Sequence, residues 1–263
     1  MSKMISKFIV AFSLIFFASA AQAKVSAYYT AGYADAKTVA SNLKKAGFTV
    51  LATYTPAKKD YLKVVVVTNS ALKKAASKKL RGFAAIQKVL VNSKAKTVLT
   101  TNPTYWLKAF LQKDYDATAA KSTTKALGKA LGKLSGTKDA LSAGDLAGYH
   151  FMIGMPYYQD MLTLKKGAKG VKAKKKVFTL KLNNGSTLYG VNLGKSAESF
   201  ISTIGEDKAL VLPYTILIEN GTAYALHAKY YLAISYPLLT MGEFMKISSI
   251  PDTIERKLKK AVQ

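Results

Sequence analysis

Residues 62–75 read LKVVVVTNSALKKA, and residues 188–201 read LYGVNLGKSAESFI. Each has the form of an apolar strand, a small polar residue and an amphipathic helical stretch. In the first, Val64–Val67 places four β-branched residues in a row, which predicts a strand buried on both faces. Asn69 and Ser70 are suited to cap a helix running to Leu80, and Ser196 takes the same place in the second copy. The parallel extends downstream. VLVNSKAKTVLTT (89–101) is echoed by ILIENGTAYALHA (216–228), two strands around a turn, with Asn220-Gly221 the stronger hairpin signal. Tyr105-Trp106-Leu107 then follows in the first half and Tyr230-Tyr231-Leu232 in the second. The persistent order of elements predicts an α+β fold of two tandem β-α-β-β-α-β-β-like repeats with mostly antiparallel sheets.

Upstream of the first copy, Ser26–Thr30 reads as a strand. Asp35 fits an N-cap, Val39 and Leu43 lie four apart, and Gly47 ends that helix. Phe48–Tyr54 reads as the next strand, and Asn102-Pro103 opens a short helix carrying Tyr105, Trp106 and Phe110. Residues 117–147 are rich in Lys, Ala and Gly and are expected to form a linker, with at most a weak surface helix through Leu127, Leu131 and Leu134. The first repeat therefore spans 24–116 and the second 148–263. Within the second, Tyr149–Met155 is expected as the opening strand and Pro156 as the start of a short helix. Lys165-Lys166 and Lys172–Lys176 are expected as exposed linker. Asn183-Asn184-Gly185 marks a hairpin between 177–182 and 187–193. Ile250-Pro251-Asp252 opens a terminal helix with Ile254, Leu258 and Val262 on one stripe.

The chain begins MSKMISKFIVAFSLIFFASAAQA. Lys3 and Lys7 precede the uncharged apolar stretch Phe8–Ala20, and Ala21-Gln22-Ala23 presents small residues to a signal peptidase. Residues 1–23 are read as a signal peptide cleaved between Ala23 and Lys24, since a spanning helix needs about 20 apolar residues. No later apolar run approaches that length, so no transmembrane segment is expected after cleavage. The expected location is periplasmic or secreted.

Four stretches carry a resemblance to a known family. These are GFTVLATY (47–54) after the first helix, VVVVTNSAL (64–72) with its polar turn before a helix, Leu212-Pro213 before a hairpin strand, and TTNP (100–103) closing the first repeat's last strand. In these the chain resembles domain-of-unknown-function family 302, as two degenerate tandem copies covering about 200 residues in an exported form. The resemblance implies a small α+β domain and no established activity or catalytic residues.

Composition narrows the function. There is no cysteine, which excludes disulfides, thiolate metal sites, covalent haem attachment and cysteine catalysis. The net charge is +26, and because the first 23 residues hold two lysines and no acid, the remainder carries +24. Only Arg81 and Arg256 are arginine. Lysine is a hydrated point charge without arginine's bidentate fork, so sequence-specific nucleic-acid reading is not expected, whereas a diffuse attraction to an anionic envelope surface is. No G-x-S-x-G, phosphate-binding glycine loop or H-E-x-x-H stands in the chain.

The candidate ligand-binding residues fall in two groups. The first is the segment YHFMIGMPYYQD (149–160), with His150, Met152, Met155, Tyr157, Tyr158 and Asp160. The second is the aromatic pairs Tyr105-Trp106 and Tyr230-Tyr231, with His227 beside the latter. Neighbouring rings in a pair point in different directions, so one can enter the core while the other lines a cleft between the repeats. Such a cleft suits a small organic or lipid-like ligand. The expectation is an exported, non-catalytic protein binding a small ligand or envelope component there, without a cofactor. Three alternatives stand beside it: a lysine surface that binds anionic envelope polymers, a copper(I) site from His150 and methionines, and an exported hydrolase. Strand alternation places Met152 with His150 and Met155 opposite, which opposes a compact copper site. A zinc site on His150 and His227 would need carboxylates such as Asp160 and Glu219.

Overall fold

A computed structural model describes residues 23–263, so the expected signal segment lies outside the described residues up to Gln22. In chain order the elements are β1 (Lys24–Ser26), β2 (Tyr28–Ala31), α1 (Ala36–Lys45), β3 (Thr49–Tyr54), β4 (Leu62–Thr68), α2 (Ser70–Ala76), β5 (Gln87–Asn92), β6 (Thr97–Thr101), α3 (Pro103–Leu111), α4 (Ala117–Leu131), β7 (Ser135–Gly136) and β8 (Ala140–Ser142). They continue with β9 (Leu162–Lys166), β10 (Lys176–Lys181), β11 (Thr187–Val191), α5 (Lys195–Glu198), α6 (Phe200–Ile204), β12 (Tyr214–Glu219), β13 (Thr222–Ala225), α7 (Ala228–Ser235), α8 (Met241–Lys246) and α9 (Ile250–Ala261).

The protein is an α+β fold with antiparallel sheets. One sheet has the order β3-β4-β5-β6-β2-β7 and the other β10-β11-β12-β13-β9, with β1 and β8 forming a separate ribbon. Leaving aside β7, the two sheets follow the same path. In both, the first strand of the half returns beside the last, and three consecutive antiparallel pairings complete the sheet. The halves differ in what joins their first two strands. In the first half it is α1; in the second it is only a 3-10 turn at Ala173–Lys175.

Local signals explain many of the boundaries. The Asp35 carboxylate accepts from the backbone N–H groups of Lys37 and Thr38, and Asn69 accepts from that of Leu72. The hairpin β12–β13 turns on Asn220 and Gly221, both with positive φ (48° and 71°), as a two-residue type I′ connection requires. Strand β4 is buried on both faces, as its run of valines predicts. Leu62, Val64 and Val66 enter the large core that continues through Leu188, Ile216 and Leu217 of the second half. Val65 and Val67 enter a smaller one with Val39 and Leu43 of α1 and Leu127 and Ala130 of α4.

Several expectations are corrected. The stretch 117–147, expected as linker, contains the 15-residue α4, with Ala119, Ala120, Thr123, Leu127 and Ala130 buried along one stripe. Its small residues let it lie close to α1, α2 and α3, while Lys121, Lys125 and Lys129 point outward. β7 and β8 then pair with β2 and β1. Tyr149–Met155 is not a strand, and no helix begins at Pro156. Gly154 has φ +82°, which breaks extended structure, and β9 opens the second sheet instead. Lys165 and Lys166 belong to β9, and Lys172–Lys176 runs through the 3-10 turn into β10. The opening strand is interrupted at Ala27, whose carbonyl accepts from the Asn102 backbone N–H and the Trp106 indole. Helix α2 stops at Ala76, where the Ser77 hydroxyl donates to the Lys73 carbonyl. Ser196 caps nothing: Gly194 occupies the N-cap position of the four-residue α5 without a side-chain bond.

The halves are joined by a reciprocal exchange. The 3-10 turn Gly82–Ala85 lies on β11 and β12, and the 3-10 turn Glu206–Val211 lies on β5 and β6. At the first contact a Cβ on Gly82 would stand 2.4 Å from Leu217 Cδ1, so a larger residue there would have to displace the Leu217 side chain. Buried carboxylates cross the seam. Glu198 accepts from the Tyr54 hydroxyl (2.5 Å) and the Ala57 N–H (2.7 Å), and Glu219 accepts from the Leu80 N–H (3.1 Å).

Candidate functional site

The aromatic pairs do not line an open cleft. They fill it. Tyr105, Trp106, Tyr158, Tyr230 and Tyr231 are all buried. Trp106 stands edge-on to Tyr105 (5.2 Å between centroids) and to Tyr231 (6.0 Å), and Tyr158 edge-on to Tyr230 (6.1 Å). Most of their polar ends are spent on backbone. The Tyr105 hydroxyl donates to the Ile234 carbonyl and that of Tyr158 to the Leu80 carbonyl, both at 2.6 Å. Among the described residues, the buried Tyr230 hydroxyl has no partner.

One small space remains at this seam. It is bounded by Phe83, Lys88, Thr101, Trp106, Phe110 and Tyr231 among others, and the volume open to the centre of a water molecule is ≈ 20 Å³, room for about one water. Lys88 enters it because side chains alternate along β5, so that Lys88 shares the inward face of Leu90. Its Nζ lies 2.7 Å from the Val211 carbonyl, 3.0 Å from the Pro213 carbonyl and 3.3 Å from the Tyr231 hydroxyl. The two carbonyls flank the cis Leu212-Pro213 bond. Burial pulls the Lys88 pKa down from 10.5 to about 7. Burial also raises that of Tyr231, which stays a protonated phenol. Sequence reading passed over Lys88, although a lysine on an inward position of QKVLVN was the available signal.

The 149–160 segment lies apart from this space, except for Tyr158. The His150 and Tyr157 rings lie 4.3 Å apart, tilted by 36°, with Nε2 3.4 Å from the phenol oxygen. Asp160 accepts from the Tyr157 N–H. His227 caps α7 by accepting from the Lys229 N–H, and burial lowers its pKa. The structure therefore leaves His150, Asp160 and His227 in separate local roles. Among the described residues, no group of three or more His, Asp or Glu side chains is placed to hold a metal ion.

Met152 belongs to a different feature. Phe151 stacks on Phe244 of α8 (5.9 Å, 11°), which brings the 151–153 turn against that helix. Beside the stacked pair, Met152 and Ile153 of the turn and Met241 and Met245 of α8 are exposed, Ile153 at 98%, and Leu238, three residues before α8, is exposed as well. Met241 and Met245 are four apart and share one side of α8. Met155 is half-buried and outside this group. No helix among the described residues is long and apolar enough to cross a membrane.

Comparison with protein-family models, with curated proteins and with solved structures finds no match to this chain.

Proposed function

We propose that the chain is an exported, non-catalytic protein that docks on an anionic lipid surface of the cell envelope through the 151–153 turn and α8. The observation that carries this reading is the cluster of exposed Met152, Ile153, Met241 and Met245 on a chain whose residues after Ala23 carry a net charge of +24. Isolated exposed apolar residues are ordinary, but four on the two elements joined by one stacked aromatic pair make a patch. Lysines attract the anionic surface over about a Debye length, and the apolar side chains then enter its boundary. A groove lined by Lys58, Lys59, Lys195, Ser199 and Ser202 adds a further basic surface at the seam of the halves. The shared strand order of the two sheets supports a duplicated ancestry and fits the resemblance to family 302, which brings no activity with it.

Co-sedimentation with phosphatidylglycerol-containing and with purely phosphatidylcholine vesicles tests this. Binding is expected on the anionic vesicles alone, to weaken with salt, and to fall about tenfold in Ile153→Ser, since burying that side chain is worth about 1.5–3 kcal/mol. Equal binding to both vesicles, or an Ile153→Ser protein that binds like the parent, would overturn it. Binding to lipid-free anionic polymer that Ile153→Ser leaves unchanged would transfer the role to the lysine surface.

A further inference from the structure

The hydrogen bonds around Lys88 can be counted in two ways. As an ammonium, it donates all three protons, to the carbonyls of Val211 and Pro213 and to the Tyr231 oxygen. The Tyr231 hydroxyl proton then has no protein acceptor, since Lys88 is its one hydrogen-bond partner among the described residues. As a neutral amine, Lys88 donates two protons to the two carbonyls, and its lone pair accepts from Tyr231. Every group is then satisfied, and no charge is left unpaired in an apolar wall. The lowered lysine pKa and the raised tyrosine pKa agree with this arrangement.

We propose that Lys88 is a covalent capture site for a small, uncharged aldehyde, with Tyr231 as the proton donor. A desolvated lysine in an apolar pocket is an activated nucleophile. The amine lone pair forms the C–N bond as the carbonyl π electrons move to oxygen, which takes the phenol proton. The proton released by nitrogen returns to the phenolate. The carbinolamine hydroxyl then leaves with a second proton from Tyr231, and the remaining N–H proton restores the phenol as C=N forms. One aldehyde and one amine give one imine and one water. The amine loses two N–H donors, and the expelled water offers two O–H donors to the carbonyls of Val211 and Pro213.

The surroundings set the class. Phe83, Trp106 and Phe110 supply apolar walls, and a space of about one water limits the aldehyde to the size of formaldehyde, with two heavy atoms. An aldehyde bearing a carboxylate or phosphate would bury an unpaired charge, since Lys88 is neutral there and the lining residues hold no other basic group.

Formaldehyde with cyanoborohydride at neutral pH, followed by peptide mapping of the folded full-length protein, tests the assignment. Lys88 is expected to be alkylated about tenfold faster than the median surface lysine, because most lysines are protonated at that pH. In Tyr231→Phe, alkylation at Lys88 is expected to slow while the surface lysines react as before. The same digest after unfolding in urea shows that the Lys88 peptide is detected. A folded protein whose surface lysines react while Lys88 does not would overturn the proposal. A Tyr231→Phe protein in which Lys88 reacts at the parent rate would remove Tyr231 as the proton donor.

Discussion

At the scale of single residues, Lys88 is the least expected side chain in the molecule: an amine 3% exposed in the main core, held by two carbonyls and a phenol. Its presence has a consequence for stability. The folded chain releases this proton near pH 7, and the unfolded chain holds it to about 10.5. Between those values the unfolded chain binds more protons, so stability rises with pH. From pH 7 to 9 the gain is about 2 kcal/mol. It ends near pH 10, where tyrosines ionise in the unfolded chain but Tyr214, Tyr230 and Tyr236 are held protonated by burial. Urea unfolding at pH 7 and pH 9 should show this rise in the parent and a flat response in Lys88→Met. Equal slopes in the two proteins would mean that Lys88 keeps its proton in the fold.

At the scale of elements, the strands were more legible than the helices. Val64–Val67, Asn220-Gly221 and Asn102-Pro103 are strong local signals, and each forms the element it predicts. The failures have physical causes. Helix α4 carries Gly128 and three threonines, which drew the reading toward linker, but its alanines, lysines and leucines favour a helix and its small residues pack on α1, α2 and α3. The opposite error occurred at 149–155, an apolar stretch mistaken for a strand because its hydrophobic residues serve partly as surface. The buried aromatic pairs were legible as aromatic pairs but not as core, since ring spacing alone cannot say whether a second half covers them. The assignment of α4 as a packed layer has a direct test. Leu127→Ala should cost about 2–5 kcal/mol, as for a core leucine, whereas Gly128→Ala should add about 0.5–1 kcal/mol. A Cβ at Gly128 meets nothing within 4 Å, so only the backbone effect remains. Denaturant midpoints for both variants would check this, and a neutral Leu127→Ala would return the segment to the status of linker.

At the scale of the whole molecule, the question is whether two similar sheets make one cooperative body. The main core passes from Leu62, Val64 and Val66 to Leu188 and Ile216 without a break. Each half also places its own turn on the other's sheet, and parting the halves would strand Glu198 and Glu219 of the second without the Tyr54, Ala57 and Leu80 donors of the first. A buried carboxylate that loses its partners is costly, so separation of the halves should be no easier than unfolding. Trp106, the one tryptophan of the chain, reports on this because it stands edge-on to Tyr231 across the seam. Its fluorescence and the far-UV circular dichroism should therefore change at the same urea concentration. Gly82→Val should separate the two signals. Its side chain would press on Leu217 and wedge the halves apart while leaving each sheet's own hydrogen bonds in place. A parent protein in which the tryptophan signal moves first would instead describe two bodies that part before either unfolds, with the Lys88 cavity opening at the same step.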